Sequence, residues 1–148
     1  VSVCFSKGLG APVGSAVAGS AEFIDEAHRW RKRLGGGMRQ AGIIAAGALY
    51  AIENNRSKLQ DDHRRAKQLG EELNRFDVID VDLEGLHTNI VWLTFSDGSA
   101  LEMMDKLSER GIGTISFDAN RMRLVTHMDV NDSGIDETLQ AFHELIPA

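Results

Sequence analysis

Hydrophobic and polar positions change period several times along the chain, and each change predicts an element. Val1-Ser2-Val3-Cys4-Phe5 alternates and is mostly β-branched or aromatic at its apolar positions, which predicts a buried strand. Val13 to Ala18 predicts a second strand. Between them lies a loop rich in glycine, with Pro12 fixing one φ. Ser20 then fits an N-cap, and Phe23, Ile24, Ala27, Trp30 and Leu34 fall near helical spacing, so a helix is predicted over 21–34, stopped by Gly35-Gly36-Gly37. Residues 41–52 are apolar nearly all round and contain many small side chains; that pattern predicts a helix buried by other elements.

After the break at Asn54-Asn55, Arg56 to Phe76 reads as a charged amphipathic helix with Leu59, Ala66, Leu69 and Leu73 inward. Its Asp61-Asp62-His63 triplet is expected on a solvated face. Adjacent helical side chains diverge by about 100°, so the three do not converge on one ion. From residue 77 the pattern becomes a small α/β unit. Strands are predicted at Val78–Val81, Asn89–Phe95, near Gly113–Phe117 and at Met122–Thr126. Ser99 to Glu102 has the form of a capping box, opening a helix with Leu101, Met104 and Leu107 inward and Gly111 as its stop. Ile135, Leu139, Phe142 and Ile146 define a last helix. The fold class is therefore α/β, divided as residues 1–76 and 77–148, with the second sheet covered on one face.

Bulk properties narrow the function classes. The 148 residues carry a formal charge of −6, which argues against nucleic acid or an anionic membrane as the main partner. No apolar run reaches the roughly 18 residues that cross a bilayer. The lone Cys4 excludes an intrachain disulfide, suits a reducing compartment and is expected as a small core residue; a cytoplasmic protein is inferred. The chain opens without methionine, in a strand that needs neighbours on both sides, so an upstream segment is expected. The all-round apolar helix calls for similar cover, from that segment or from another subunit, and points to an oligomer.

The candidate chemistry starts at Lys7. Glycines and apolar strands around an amine invite desolvation, which favours its neutral, nucleophilic form. A structural hairpin with a snorkelling lysine remains the alternative from these residues alone. A dinucleotide fingerprint is disfavoured because Pro12 lies in the loop and a strand follows where a helix is needed, and a P-loop is excluded because its lysine would come last. Arg121 and Arg123 flank Met122 and share one face of a strand. The basic cluster Arg29 to Arg33 suits a helix C-terminus, where cations oppose the dipole. Cations on both sides of the triple glycine could also converge on a dianion.

Four segments together resemble the low-specificity L-threonine aldolases: Ser6-Lys7-Gly8-Leu9-Gly10-Ala11-Pro12-Val13-Gly14-Ser15, Trp30-Arg31-Lys32, Leu34-Gly35-Gly36-Gly37-Met38-Arg39-Gln40 and Arg123-Leu124-Val125-Thr126-His127. The resemblance covers essentially the whole chain but only the C-terminal part of that family's length. It implies a fold type I pyridoxal 5'-phosphate enzyme, here the end of its large cofactor domain plus its small C-terminal α/β domain. It implies that Lys7 carries the cofactor covalently, that Lys32 and Arg39 lie near its phosphate across a dimer interface, and that Arg123 grips the substrate α-carboxylate. His127 belongs to the last motif with no chemistry assigned. The implied reaction cleaves a β-hydroxy-α-amino acid, such as L-threonine or L-allo-threonine, to glycine and an aldehyde, in a homodimer or homotetramer, with no metal. A related fold type I enzyme (β-eliminating lyase, racemase or aminotransferase) or a non-catalytic interaction fragment are the alternatives. The ring-stacking histidine, the aspartate on the pyridine nitrogen and most of the phosphate loop would lie upstream of Val1, so residues 1–148 alone are expected to be inactive.

Overall fold

The computed structural model describes residues 1–146, and the chain divides into two compact units between Ser57 and Lys58. This falls upstream of the expected boundary after residue 76, because the helix between the two positions packs with the second unit.

In the first unit, β1 (Ser2–Cys4) and β2 (Ser15–Val17) form an antiparallel hairpin, with Ser2 opposite Val17 and Cys4 opposite Ser15. The connecting loop folds back on itself: the Phe5 amide donates to the Gly14 carbonyl and the Ala11 amide to the Phe5 carbonyl, each at 2.9 Å. Gly14 has φ +118°, a value that any side chain would strain. α1 (Ala21–Arg33) begins where the cap was expected, with the Ser20 hydroxyl accepting from the Phe23 amide. α2 (Gly42–Asn55) follows the glycine loop.

The elements of this unit bury little of one another. The hairpin is exposed at every strand position, Cys4 included, since no other described element covers either of its faces. α1 buries none of its residues. α2 buries only Ala48, Ala51 and Asn55, and leaves Ile43, Leu49 and Tyr50 more than half exposed. The apolar patterns are real; the surfaces that would match them are not among the described residues.

The second unit is built the other way, around a closed core. After a 3-10 turn at Arg56–Lys58 come α3 (Leu59–Leu73), β3 (Ile79–Val81), β4 (Ile90–Phe95), α4 (Ala100–Glu109), β5 (Ile115–Ser116), β6 (Arg121–Val125) and α5 (Asp132–Leu145). The strands make one antiparallel sheet in the order β3-β4-β6-β5. Alternation works as expected: Val91, Leu93, Phe95, Met122 and Leu124 turn inward and meet Ala66, Leu69, Leu73, Leu107, Ile135 and Phe142 from the three helices. Each such fully buried large side chain contributes about 1.5–3 kcal/mol of transfer free energy.

Two local readings change. The Ser99 hydroxyl donates to Asp97 at 2.7 Å and makes no cap bond to α4, so the capping box does not form. The inward face of α4 is Ala100, Met103 and Leu107, while Leu101 is exposed. The small Ala100 lets the helix start sit against the chain at Ala119, whose carbonyl accepts the Ala100 amide at 2.9 Å, and that contact sets the rotation.

Candidate functional site

Lys7 stands on the loop of the hairpin, and α2 fixes that loop at three points. Asn55 donates its amide to the Leu9 carbonyl at 2.8 Å. Ala11 is buried. Gly47 permits close approach of the Pro12 ring, since a Cβ there would lie 3.2 Å from Pro12 Cδ. The backbone of Lys7 is tied in as well, its carbonyl accepting from the Gly10 amide at 2.8 Å. The side chain is exposed. Its neighbours are too small to enclose it, so the expected desolvation is not supplied by the described residues.

Lys32 and Arg39, separated in sequence by the triple glycine, line one open depression of about 630 Å³ with His28, Arg29, Arg31 and Arg33. The loop brings them together through small-residue contacts. Gly35 has φ +83° and turns the chain. A Cβ on Gly37 would stand 2.9 Å from Lys32 Cδ, and one on Gly36 3.2 Å from the Arg31 carbonyl oxygen. Only glycine allows the returning strand of the loop to lie this close to α1. Gln40, at φ 52°, then turns the chain into α2. None of the cations Arg29, Arg31, Lys32, Arg33 and Arg39 has a carboxylate partner among the described residues. Arg33 lies over the Trp30 ring at 5.2 Å. A cluster of unpaired cations on one concave surface is suited to a polyanionic group such as a phosphate dianion. The helix dipole accounts for the cations of α1 but not for the return of Arg39 to their side.

Arg123 belongs to the second unit. It sits in β6 with Trp92 opposite on β4 and Ile115 opposite on β5, on the sheet face that the helices leave open. Its neighbour on that face, Arg121, is held by Asp118 through Nε at 2.9 Å and Nη2 at 2.8 Å. The Asn120 amide, followed by the Arg121 contacts, holds the Asp118 carboxyl below its ordinary range. Arg123 has no such partner among the described residues, and its Nε is buried without a hydrogen bond. The two arginines that looked equivalent in sequence are therefore different: one is neutralised, the other is available.

One site-like group was misread from sequence. Asp62 is buried at 1% exposure, not solvated, and both its carboxylate oxygens lack a hydrogen-bond partner. Burial pushes its carboxyl above the ordinary range, against the opposing charges of Arg65, His127 and His63. Asp61 remains exposed, and no group of three metal-ligating side chains converges among the described residues. No helix among them is long and apolar enough to cross a membrane.

Comparison with known proteins shows what the chain is similar to. The model of the beta-eliminating lyase family matches residues 1–96. The chain is 44% identical over 147 residues to low-specificity L-threonine aldolase 1 of Arabidopsis thaliana, covering 97% of this chain and 41% of that protein. It is 38% identical over 135 residues to the low specificity L-threonine aldolase of Escherichia coli strain K12, covering 91% of this chain and 39% of that one. The chain thus spans about two-fifths of the length of the curated relatives it matches. Among solved structures it resembles a putative L-allo-threonine aldolase of Listeria monocytogenes with TM-score 0.76 and 22% identity, covering 98% of this chain and 44% of that one.

Proposed function

This chain belongs to the beta-eliminating lyase family, and on that premise we propose that it forms part of a pyridoxal 5'-phosphate aldolase cleaving β-hydroxy-α-amino acids such as L-threonine and L-allo-threonine to glycine and an aldehyde. The observation that carries this reading is the convergence of Lys32 and Arg39, across the triple glycine, in a depression whose cations have no carboxylate partners. Such residues fit a phosphate ester, and the exposed amine of Lys7 on a pinned loop fits an aldehyde carbon. In this reading the first unit ends the cofactor domain and the second forms the smaller domain. The remaining cofactor contacts come from sequence upstream, and the depression is completed across a dimer interface.

When bound, the cofactor supplies a sink for the electron pair left at Cα as the Cα–Cβ bond breaks. The chain's own residues do the rest of what is assigned here. Lys32 and Arg39 neutralise the phosphate by charge-assisted hydrogen bonds. Lys7 would hold the cofactor through its aldehyde carbon, and its amine, when free, would carry a proton to or from Cα. Arg123 holds the α-carboxylate, which fixes the rotation about the N–Cα bond and so selects which bond to Cα is broken.

Borohydride reduction of the complete protein, followed by digestion and mass analysis, tests the attachment; glycine and aldehyde release from threonine test the reaction. The reading predicts cofactor mass on the peptide containing Lys7 and none after Lys7→Ala. Label on another lysine overturns the assignment. Formation of a keto acid or of racemised substrate in place of glycine moves the activity to another member of the fold type I group.

A further inference from the structure

The face of the second sheet opposite its helices carries two aromatic rings that the assigned chemistry does not use. Trp92 on β4 and Phe117, just beyond β5, stand on either side of β6, yet their ring centroids are 5.2 Å apart at an interplanar angle of 41°. They therefore meet across β6 on the open face. Arg123 rises from β6 between them, directly opposite Trp92 in register, and its Cζ lies 5.6 Å from the Phe117 centroid. The Phe117 amide donates to the Arg121 carbonyl at 3.0 Å, which fixes the ring's backbone against β6.

We propose that Trp92 and Phe117 are a positioning pair for Arg123: the indole braces the phenyl ring, and the ring supports the guanidinium where an acidic side chain would otherwise stand. Two observations and one general property of aromatic rings favour this over a chance surface contact. Arg123 has no carboxylate partner among the described residues, whereas Arg121 on the same face is bound to Asp118. The Arg123 Nε is buried and makes no hydrogen bond, so the side chain is held by packing and not by polar contacts. An aromatic face attracts a cation without occupying any of its N–H donors. A carboxylate partner would orient the guanidinium just as well, but it would compete with a carboxylate ligand for the same fork. With Nε turned into the protein, the two Nη groups form the edge left for a bidentate pair.

The inference rests on the assignment of Arg123 to the substrate carboxylate, and its test separates the two. The probes are glycine and methylamine, its analogue without a carboxylate, titrated calorimetrically against the complete cofactor-loaded protein. Arg123→Gln weakens glycine binding and leaves methylamine unchanged if the assignment holds. Phe117→Leu and Trp92→Leu then weaken glycine binding by about three- to tenfold, the range of a partly desolvated cation-π contact, again with methylamine unchanged. Phe117→Tyr restores the parent affinity because it keeps the ring. The Arg123 Nε–H resonance, slow to exchange with water in the parent, exchanges faster in Phe117→Leu. Both rings are about half exposed, so these variants keep the core intact. Glycine binding unaffected by Arg123→Gln overturns the carboxylate assignment and the inference with it. Loss in Arg123→Gln but not in the two aromatic variants overturns the positioning pair alone, as does an equal loss for glycine and methylamine.

Discussion

Thr126 donates its hydroxyl to the backbone carbonyl of Asp62 over 2.7 Å, joining the end of β6 to α3, while the Asp62 side chain beside that bond is buried with both oxygens unpaired. The backbone is satisfied and the side chain is not. Burial raises the Asp62 carboxyl above its ordinary value; Arg65, His127 and His63 oppose the rise and Asp61 adds to it. A carboxyl raised in the folded state favours folding while it is protonated. That contribution is complete below the unfolded carboxyl's titration near pH ~4 and is lost as pH climbs through the folded value. Asp62→Asn stays neutral throughout. Its stability advantage over the parent should therefore grow from acid to neutral pH, as read from denaturant midpoints of the complete protein between pH 4 and 7.5. Parallel pH profiles for the two would show that the carboxyl is not strained by burial.

The buried position of Asp62 is legible in the helical period of the sequence. Residues 59, 62, 66, 69 and 73 share one helical stripe, so the inward set Leu59, Ala66, Leu69 and Leu73 already contained it. Treating the charged triplet as one solvated block hid a residue that its own period places inside. Strand alternation in the second unit was read correctly because that sheet has a covered and an open face, and period 2 reports this directly. Strand register puts Trp92 on the open face opposite Arg123, and whether the two rings meet over β6 depends on strand order, which the sequence does not carry. In the first unit the apolar patterns of β1, α1 and α2 are not matched by cover among the described residues, so pattern and observed exposure part company there.

The triple glycine offers a sharp contrast with a glycine nearby. A Cβ on Gly37 would meet Lys32 Cδ at 2.9 Å and Nζ at 3.4 Å, the flexible end of a side chain, so Gly37→Ala should displace Lys32 at little cost to the fold. Gly42, the first residue of α2, has open space around it, and Gly42→Ala should be neutral or stabilise by up to about 1 kcal/mol. Equilibrium titration of the complete apoprotein with pyridoxal phosphate should show affinity several-fold weaker in Gly37→Ala and unchanged in Gly42→Ala. Equal affinity in both would remove Lys32 from the phosphate site.

Ser20 controls the other end of the helix that carries Lys32. Its hydroxyl accepts the Phe23 amide at 3.3 Å, and Glu22 adds a favourable charge in the first turn. Because α1 buries none of its residues, no packing among the described residues compensates for a lost cap. Ser20→Ala should cost about 1 kcal/mol, seen as amide exchange roughly fivefold faster in the first turn of α1, and Ser20→Asp should restore protection. Unchanged exchange at Phe23 would mean that the helix start is held by something other than this hydroxyl.

Asn55 provides the last test, because it links the lysine loop to α2 by a side chain that carries no charge and takes no part in the assigned chemistry. Its amide donates to the Leu9 carbonyl at 2.8 Å, two residues beyond Lys7 in a loop otherwise fixed by Ala11 and by the Pro12 contact with Gly47. Removing the donor leaves that carbonyl without its side-chain partner and frees the loop, at a cost of about 1 kcal/mol. In Asn55→Ala the lysine is still present, so borohydride should still trap cofactor on Lys7. The turnover number should nevertheless fall about tenfold, since a misplaced amine transfers a proton at Cα less often. Amide exchange at Gly10 and Ala11 should rise in parallel. A fall in trapping at saturating cofactor with turnover per bound cofactor unchanged would show that the anchor serves binding, not the placement of the amine.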